Sequence, residues 1–91
     1  MLDILFVGGS KKDVSILNEL PLNVDQVQNG MIALSALNTE HYDGVIIHDN
    51  LPLLSPDRLI KEIRELDKFI PIFTSIISDD RRSDILKDLQ Q

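Results

Sequence analysis

The chain contains no cysteine. That excludes a disulfide scaffold, a thiolate zinc or iron–sulfur site and a cysteine nucleophile. It also points to the cytoplasm, where thiols are not needed as staples. Aromatic residues are few, Phe6, Tyr42, Phe69 and Phe73, so the core must be aliphatic. Positive charge is scarce: 9 Lys and Arg stand against 15 Asp and Glu, a net charge of −6. A compact acidic domain makes no direct contact with nucleic acid and is repelled by anionic membrane surfaces. No apolar run approaches the roughly 18 to 20 residues of a membrane span. The opening MLDILFVGGSKK carries Asp3 within a short apolar stretch and does not read as a signal peptide. Linkers, low-complexity stretches and repeats are missing too.

What remains is 91 residues with 43% hydrophobic content, one small domain spanning 1–91. Apolar runs alternate with helix signals. Leu2–Val7 is almost continuously apolar and ends in Gly8-Gly9, which predicts a buried strand. Ser10 can cap a helix over Lys11–Leu20, with Asp13 in its first turn and Pro21 as its stop. Leu22–Gln28 alternates, as a half-exposed edge strand does. Asn29-Gly30 marks a turn before a short helix, Met31–Leu37, frayed at Asn38-Thr39. Gly44–His48 is continuously apolar through Ile47, which predicts a central strand covered on both faces. Ser55-Pro56-Asp57 is a strong helix start, and the helix runs to Leu66. Ile70–Ser75 reads as a fourth strand, and Asp80–Leu89 as a last helix with a solvated start at Asp79–Arg82.

Strands alternating with helices imply right-handed crossovers and a parallel sheet with helices on both faces. The expected fold class is α/β, a three-layer flavodoxin-like sheet with strand order 2-1-3-4. Its functional crevice lies at the carboxyl ends of the strands, here Gly8-Gly9-Ser10, His48-Asp49 and Ser75-Ile76-Ile77.

The segment Tyr42-Asp43-Gly44-Val45-Ile46-Ile47-His48-Asp49-Asn50-Leu51-Pro52 is followed by the helix ending Ile60-Lys61-Glu62-Ile63-Arg64. Together with Ile4–Val7, Asn29-Gly30 and Ile70-Pro71-Ile72, this order and spacing resembles the receiver domains of response regulators, the CheY-like family, over the whole chain. The resemblance implies a two-component or phosphorelay signalling module. In such a module a phosphoryl group passes from a histidine kinase to an aspartate that closes the third strand, with a bound Mg²⁺. Counting back four from Pro52, the phosphoacceptor position is His48. The family's acidic pair at the end of the first strand falls on Gly8 and Gly9. Its switch Thr or Ser falls on Ile76, or on Ser75 with a one-residue slip. Its conserved lysine follows a fifth strand, and the chain ends before that strand.

Asp49 could replace the acceptor only if the strand bulged, because neighbouring strand residues face opposite sides. The expectation is therefore a degenerate, phosphorylation-independent pseudo-receiver that is not an enzyme, with no cofactor, no metal and no Mg²⁺ binding. An alternative is an anion- or nucleotide-sensing site at Gly8-Gly9-Ser10 and Lys11, where glycines and a helix N-terminus favour negative charge. A tight strand-to-helix turn with an ordinary cap is the plainer reading. A conventional aspartyl-phosphorylated receiver is the third. Histidine is the side-chain type whose reference pKa lies near neutrality, so a histidine at position 48 could act as an acid, a base or a sensor; filling a vacant pocket is the simpler role. His41 reads as a surface residue. Leu51, Leu53 and Leu54 either pack beneath their loop or form a contact surface.

Relative to the family, the fifth strand and helix are missing, so Ile70–Ser75 should be an unpaired sheet edge. That edge predicts either an output domain or protein partner beyond residue 91, or a homodimer formed along it.

Overall fold

The computed structural model describes residues 1–48, 51 and 53–74. Seven elements follow in order: β1 (Leu2–Val7), α1 (Lys11–Asn18), β2 (Leu22–Val27), α2 (Gly30–Thr39), β3 (Gly44–Ile47), α3 (Pro56–Leu66) and β4 (Ile72–Thr74). The strands form one sheet in the order β2-β1-β3-β4, every pair parallel. The expected α/β fold and strand order are observed. The expected last helix over Asp80–Leu89 lies outside the described residues, as do Asp49, Ser75 and Ile76. No helix among the described residues is long and apolar enough to cross a membrane.

Strand periodicity divides the core in two. Leu5, Val7, Val45 and Ile47 face α2 and α3, where they meet Ala33, Leu59 and Ile63. Ile4, Phe6 and Ile46 face α1 and meet Leu17. These side chains are fully buried, and each of them except Ala33 contributes about 1.5 to 3 kcal/mol of burial. The continuous apolar runs of β1 and β3 thus serve both faces at once, as central strands require.

The helices start where their caps predict. Ser10 Oγ accepts from the Asp13 N–H while the Asp13 carboxylate accepts from the Ser10 N–H, a reciprocal capping box. Ser55 caps α3 ahead of Pro56. Leu59 and Ile63 form the buried stripe of α3, while Arg58 and Glu62 pair on its outer face at 3.3 Å.

Several ends differ from expectation. α1 stops at Asn18 because the N–H groups of Glu19 and Leu20 bend back to Ile16 and Leu17 carbonyls, tightening the last turn ahead of Pro21. α2 reaches Thr39, since the Thr39 hydroxyl donates to the Ser35 and Ala36 carbonyls and holds the end expected to fray. The sheet begins its fourth strand at Ile72, after Ile70. The Ile70 N–H is taken by Asp67 Oδ1 and its carbonyl by Arg64, which commits Ile70 to the turn. Among the described residues β4 pairs only with β3.

At the amino end of the sheet Tyr42 is buried. Its hydroxyl lies 2.7 Å from Glu40 Oε2 and 3.0 Å from Asp25 Oδ2. Both carboxylates only accept, so the single phenol proton is held between them. Burial first, then these two hydrogen bonds and charges, pushes the Tyr42 pKa well above its ordinary value of 10.0. The folded chain holds this proton more tightly than the unfolded chain. Stability is therefore unaffected below the ordinary tyrosine range and declines as pH rises through and past it. Tyr42 is the chain's single tyrosine, so tyrosinate absorbance during alkaline titration reads it alone. Absorbance rising only together with unfolding is the expected result, and Tyr42→Phe should remove this part of the alkaline destabilisation.

Candidate functional site

Because all strands run parallel, their carboxyl ends gather at one end of the sheet. β1 leads there into Gly8 and Gly9, with φ of 79° and 80°. This left-handed region is natural only for glycine. Gly8 is buried and tied to β2: its N–H donates to the Val27 carbonyl at 2.9 Å, and its carbonyl accepts from Gln26 Nε2 at 3.0 Å. The space a side chain would need at Gly9 is filled. A Cβ there would lie 2.4 Å from Phe6 Cζ, 2.7 Å from Phe6 Cε2 and 3.1 Å from Asp13 Oδ2. Phe6 is fully buried among Ile4, Leu17 and Ile46, so its ring is held from behind.

His48 follows β3 directly. Its N–H donates to the Val7 carbonyl at 2.9 Å, which fixes it beside the end of β1. Its Nε2 lies 3.9 Å from Asp13 Oδ2, an ion pair when the imidazole is protonated, with side-chain exposures of 25% and 16%. The contact follows from alternation: Ile46 faces α1, Ile47 faces away, and His48 faces α1 again. Sequence reasoning placed His48 here but missed Asp13 as its neighbour. The one available signal was the Ser10-x-x-Asp13 capping spacing, which anchors that carboxylate at the start of α1.

The structure thus brings together Gly8, Gly9, Ser10 and His48, with Lys11 exposed at the rim. Asp13 Oδ2 also accepts from Ser10 N at 2.8 Å and Ser10 Oγ at 3.1 Å. A carboxylate of the chain itself therefore covers the N-terminus of α1. Among the described residues, no group of three His, Asp or Glu side chains could hold a metal ion. Asp49, Ser75 and Ile76 lie outside the described residues.

The leucine loop divides. Leu51 and Leu54 pack against the α2–α3 side of the core. Leu54 lies over the start of α2, where a Cβ on Gly30 would come within 2.9 Å of its Cδ2. Leu53 is 80% exposed and has a φ of 70°, a conformation that costs a β- or γ-branched residue energy. His41 is exposed, as expected, 3.6 Å from Asp43.

No protein-family model matches the chain, and no curated protein sequence matches it. Solved structures do. The receiver domain of a sensor histidine kinase from Pseudomonas aeruginosa, solved with magnesium coordinated in its active-site cleft, aligns with a TM-score of 0.79 at 21% identity, covering 98% of this chain and 94% of that one. The chemotaxis response regulator CheY4 of Vibrio cholerae aligns at 0.72 and 21%, covering 97% and 80%. A chain in the complex of the histidine kinase ThkA with the response regulator TrrA aligns at 0.79 and 21%, covering both chains fully. At this identity the likeness shows the fold: the chain folds as CheY-like receiver domains do.

Proposed function

We propose that the chain is a cytoplasmic receiver-type signalling module, a degenerate member of the two-component class, that works by protein contact without aspartyl phosphorylation and without magnesium. The observation that carries this reading is the Phe6 ring lying where a side chain at Gly9 would have to be. Magnesium needs oxygen ligands in near-octahedral array. The two glycines offer no side-chain oxygen. Among the described residues the carboxylate beside Gly9 is that of Asp13, which is engaged by Ser10 and faces His48. This donor set does not fit the ion. Nor do the described residues at this end converge as nucleophile, base and oxyanion donors, which argues against an independent enzyme.

The anion-sensing alternative is less favoured by the same geometry. An anion at Gly8-Gly9-Ser10 and Lys11 would compete with the Asp13 carboxylate for the Ser10 N–H. We place the contact itself at the edge of β4, which among the described residues pairs only with β3, and take its partner to be a second copy or an output domain. The solved complex of a histidine kinase with a response regulator is an example of association by this fold.

The test is exposure of the protein to acetyl phosphate, or to beryllofluoride, with Mg²⁺. The expected result is no gain of a phosphoryl mass and no amide shift at Gly8, Gly9 or His48. A stable phosphoryl adduct at His48 or Asp49 would overturn the phosphorylation-independent reading. Sedimentation equilibrium on the same sample tests self-association separately. A mass rising toward the dimer supports pairing of two copies, and a monomer at every concentration removes it.

A further inference from the structure

A second surface lies at the opposite end of the sheet, independent of the glycine–histidine end. Two adjoining hollows share His41, Tyr42, Asp67 and Ile70. One, of about 130 Å³, runs over Leu37, Ile63 and Leu66 between the ends of α2 and α3. The other, about 230 Å³ and more open, reaches Asp43, Phe69 and Pro71. The floor is apolar and buried: Tyr42, Ile63 and Ile70. The rim carries the carboxylates of Glu40, Asp43 and Asp67.

Phe69 stands on this rim with 90% of its surface exposed. The turn beneath it is braced. Asp67 Oδ1 accepts from the N–H groups of Phe69 and Ile70 at 2.9 and 3.2 Å. Arg64 Nη1 donates to the Ile70 carbonyl at 2.7 Å and to the Asp67 carbonyl at 3.4 Å. A braced turn that holds a phenyl ring in water forgoes its burial, and aromatic groups presented this way mark contact surfaces. Leu66, also exposed, adds apolar area beside it.

Charge identifies the occupant. Arg64 is directed at backbone carbonyls, and His41 lies against Asp43. Lys68 is on the same exposed turn. Each rim carboxylate keeps acceptor capacity beyond its present bonds, since a carboxylate accepts about four hydrogen bonds. An Arg or Lys set between the Phe69 ring and the Asp43 and Asp67 carboxylates would gain a cation–π contact and a charge-assisted hydrogen bond together. A second copy brings the same acidic rim and a net charge of −6, so it does not complement the groove.

We propose that this groove docks a basic peptide segment of a partner protein, with an apolar side chain seated against Leu37 and Leu66 and a cation held by Phe69, Asp43 and Asp67.

The test is titration of the isotope-labelled full chain with a synthetic peptide of alternating leucine and arginine, and with its leucine–glutamate counterpart. Amide shifts should centre on Glu40–Asp43 and Asp67–Ile70 with the basic peptide alone, and binding should weaken as salt rises. Phe69→Ala, at an exposed position, should lower affinity about tenfold. The pair Asp43→Asn and Asp67→Asn keeps a side-chain carbonyl for the local backbone bonds while removing charge, and should have a similar effect. Equal binding of the acidic peptide, shifts centred on Ile72–Thr74 or on Gly8–Ser10, or variants that bind like the parent would each overturn the proposal. So would self-association that Phe69→Ala abolishes.

Discussion

Replacing Gly9 by aspartate, which tests the proposed degeneracy of this pocket, should destabilise the domain by about 2 to 4 kcal/mol and confer no magnesium binding. Two costs add. Gly9 has a φ of +80°, which costs a residue with a Cβ roughly 1 kcal/mol or more. The Cβ would also meet Phe6 Cζ at 2.4 Å, and overpacking against a held ring costs about 1 to 3 kcal/mol. The new carboxylate would sit close to Asp13 as well, since that Cβ lies 3.1 Å from Asp13 Oδ2. A domain of this size has only about 5 to 15 kcal/mol in total. Urea denaturation should show a lower midpoint with an unchanged slope. Phe6→Leu shortens the obstructing side chain, so the Phe6→Leu/Gly9→Asp double variant should lose less than the sum of the singles, by about 1 kcal/mol. Additive losses would mean that the ring is not the obstacle. A Gly9→Asp protein as stable as the parent, or one that binds Mg²⁺, would count against the steric account and against the function built on it.

Leu59→Ala should be the most damaging single truncation in α3, at about 3 kcal/mol. Leu59 is fully buried between α3, α2 and the sheet. Its removal leaves space beside Gly30, where a Cβ would lie 3.3 Å from Leu59 Cδ1, 2.9 Å from Leu54 Cδ2 and 3.2 Å from Leu54 Cβ. Gly30 opens α2, and alanine is the better helix former by up to about 1 kcal/mol. In the parent that gain is offset by crowding of Leu54. With Leu59 shortened, Leu54 can give way into the vacated space and the methyl no longer crowds it. Gly30→Ala should therefore be close to neutral alone and should restore about 0.5 to 1 kcal/mol in the Leu59→Ala background. Thermal denaturation of the four-protein cycle measures this. A methyl equally costly in both backgrounds would place the freed space elsewhere.

Local signals carried much of the architecture. Ser10 and Ser55 cap the helices that follow them as expected, and Asn29, read as part of a turn, caps α2; a cap is legible because it is a contact between residues two or three positions apart. The apolar runs of Leu2–Val7 and Gly44–Ile47 identified the two central strands, since burial on both faces suppresses alternation. From these came the order β2-β1-β3-β4. Strand four was placed two residues early because the Asp67 and Arg64 bonds that claim Ile70 are not visible as a pattern.

The site divides the same way. The expectation that Gly8, Gly9 and His48 occupy a receiver's acidic positions rests on residue type and spacing alone; the structure brings the three to one end of the sheet. Three things needed the tertiary structure. Asp13 meets His48, the Phe6 ring closes over Gly9, and Phe69 stands braced above an acidic groove. Each joins parts of the chain whose proximity depends on strand register and on how a helix sits against the sheet. Sequence periodicity sets which face a side chain takes. Only packing decides what it finds there.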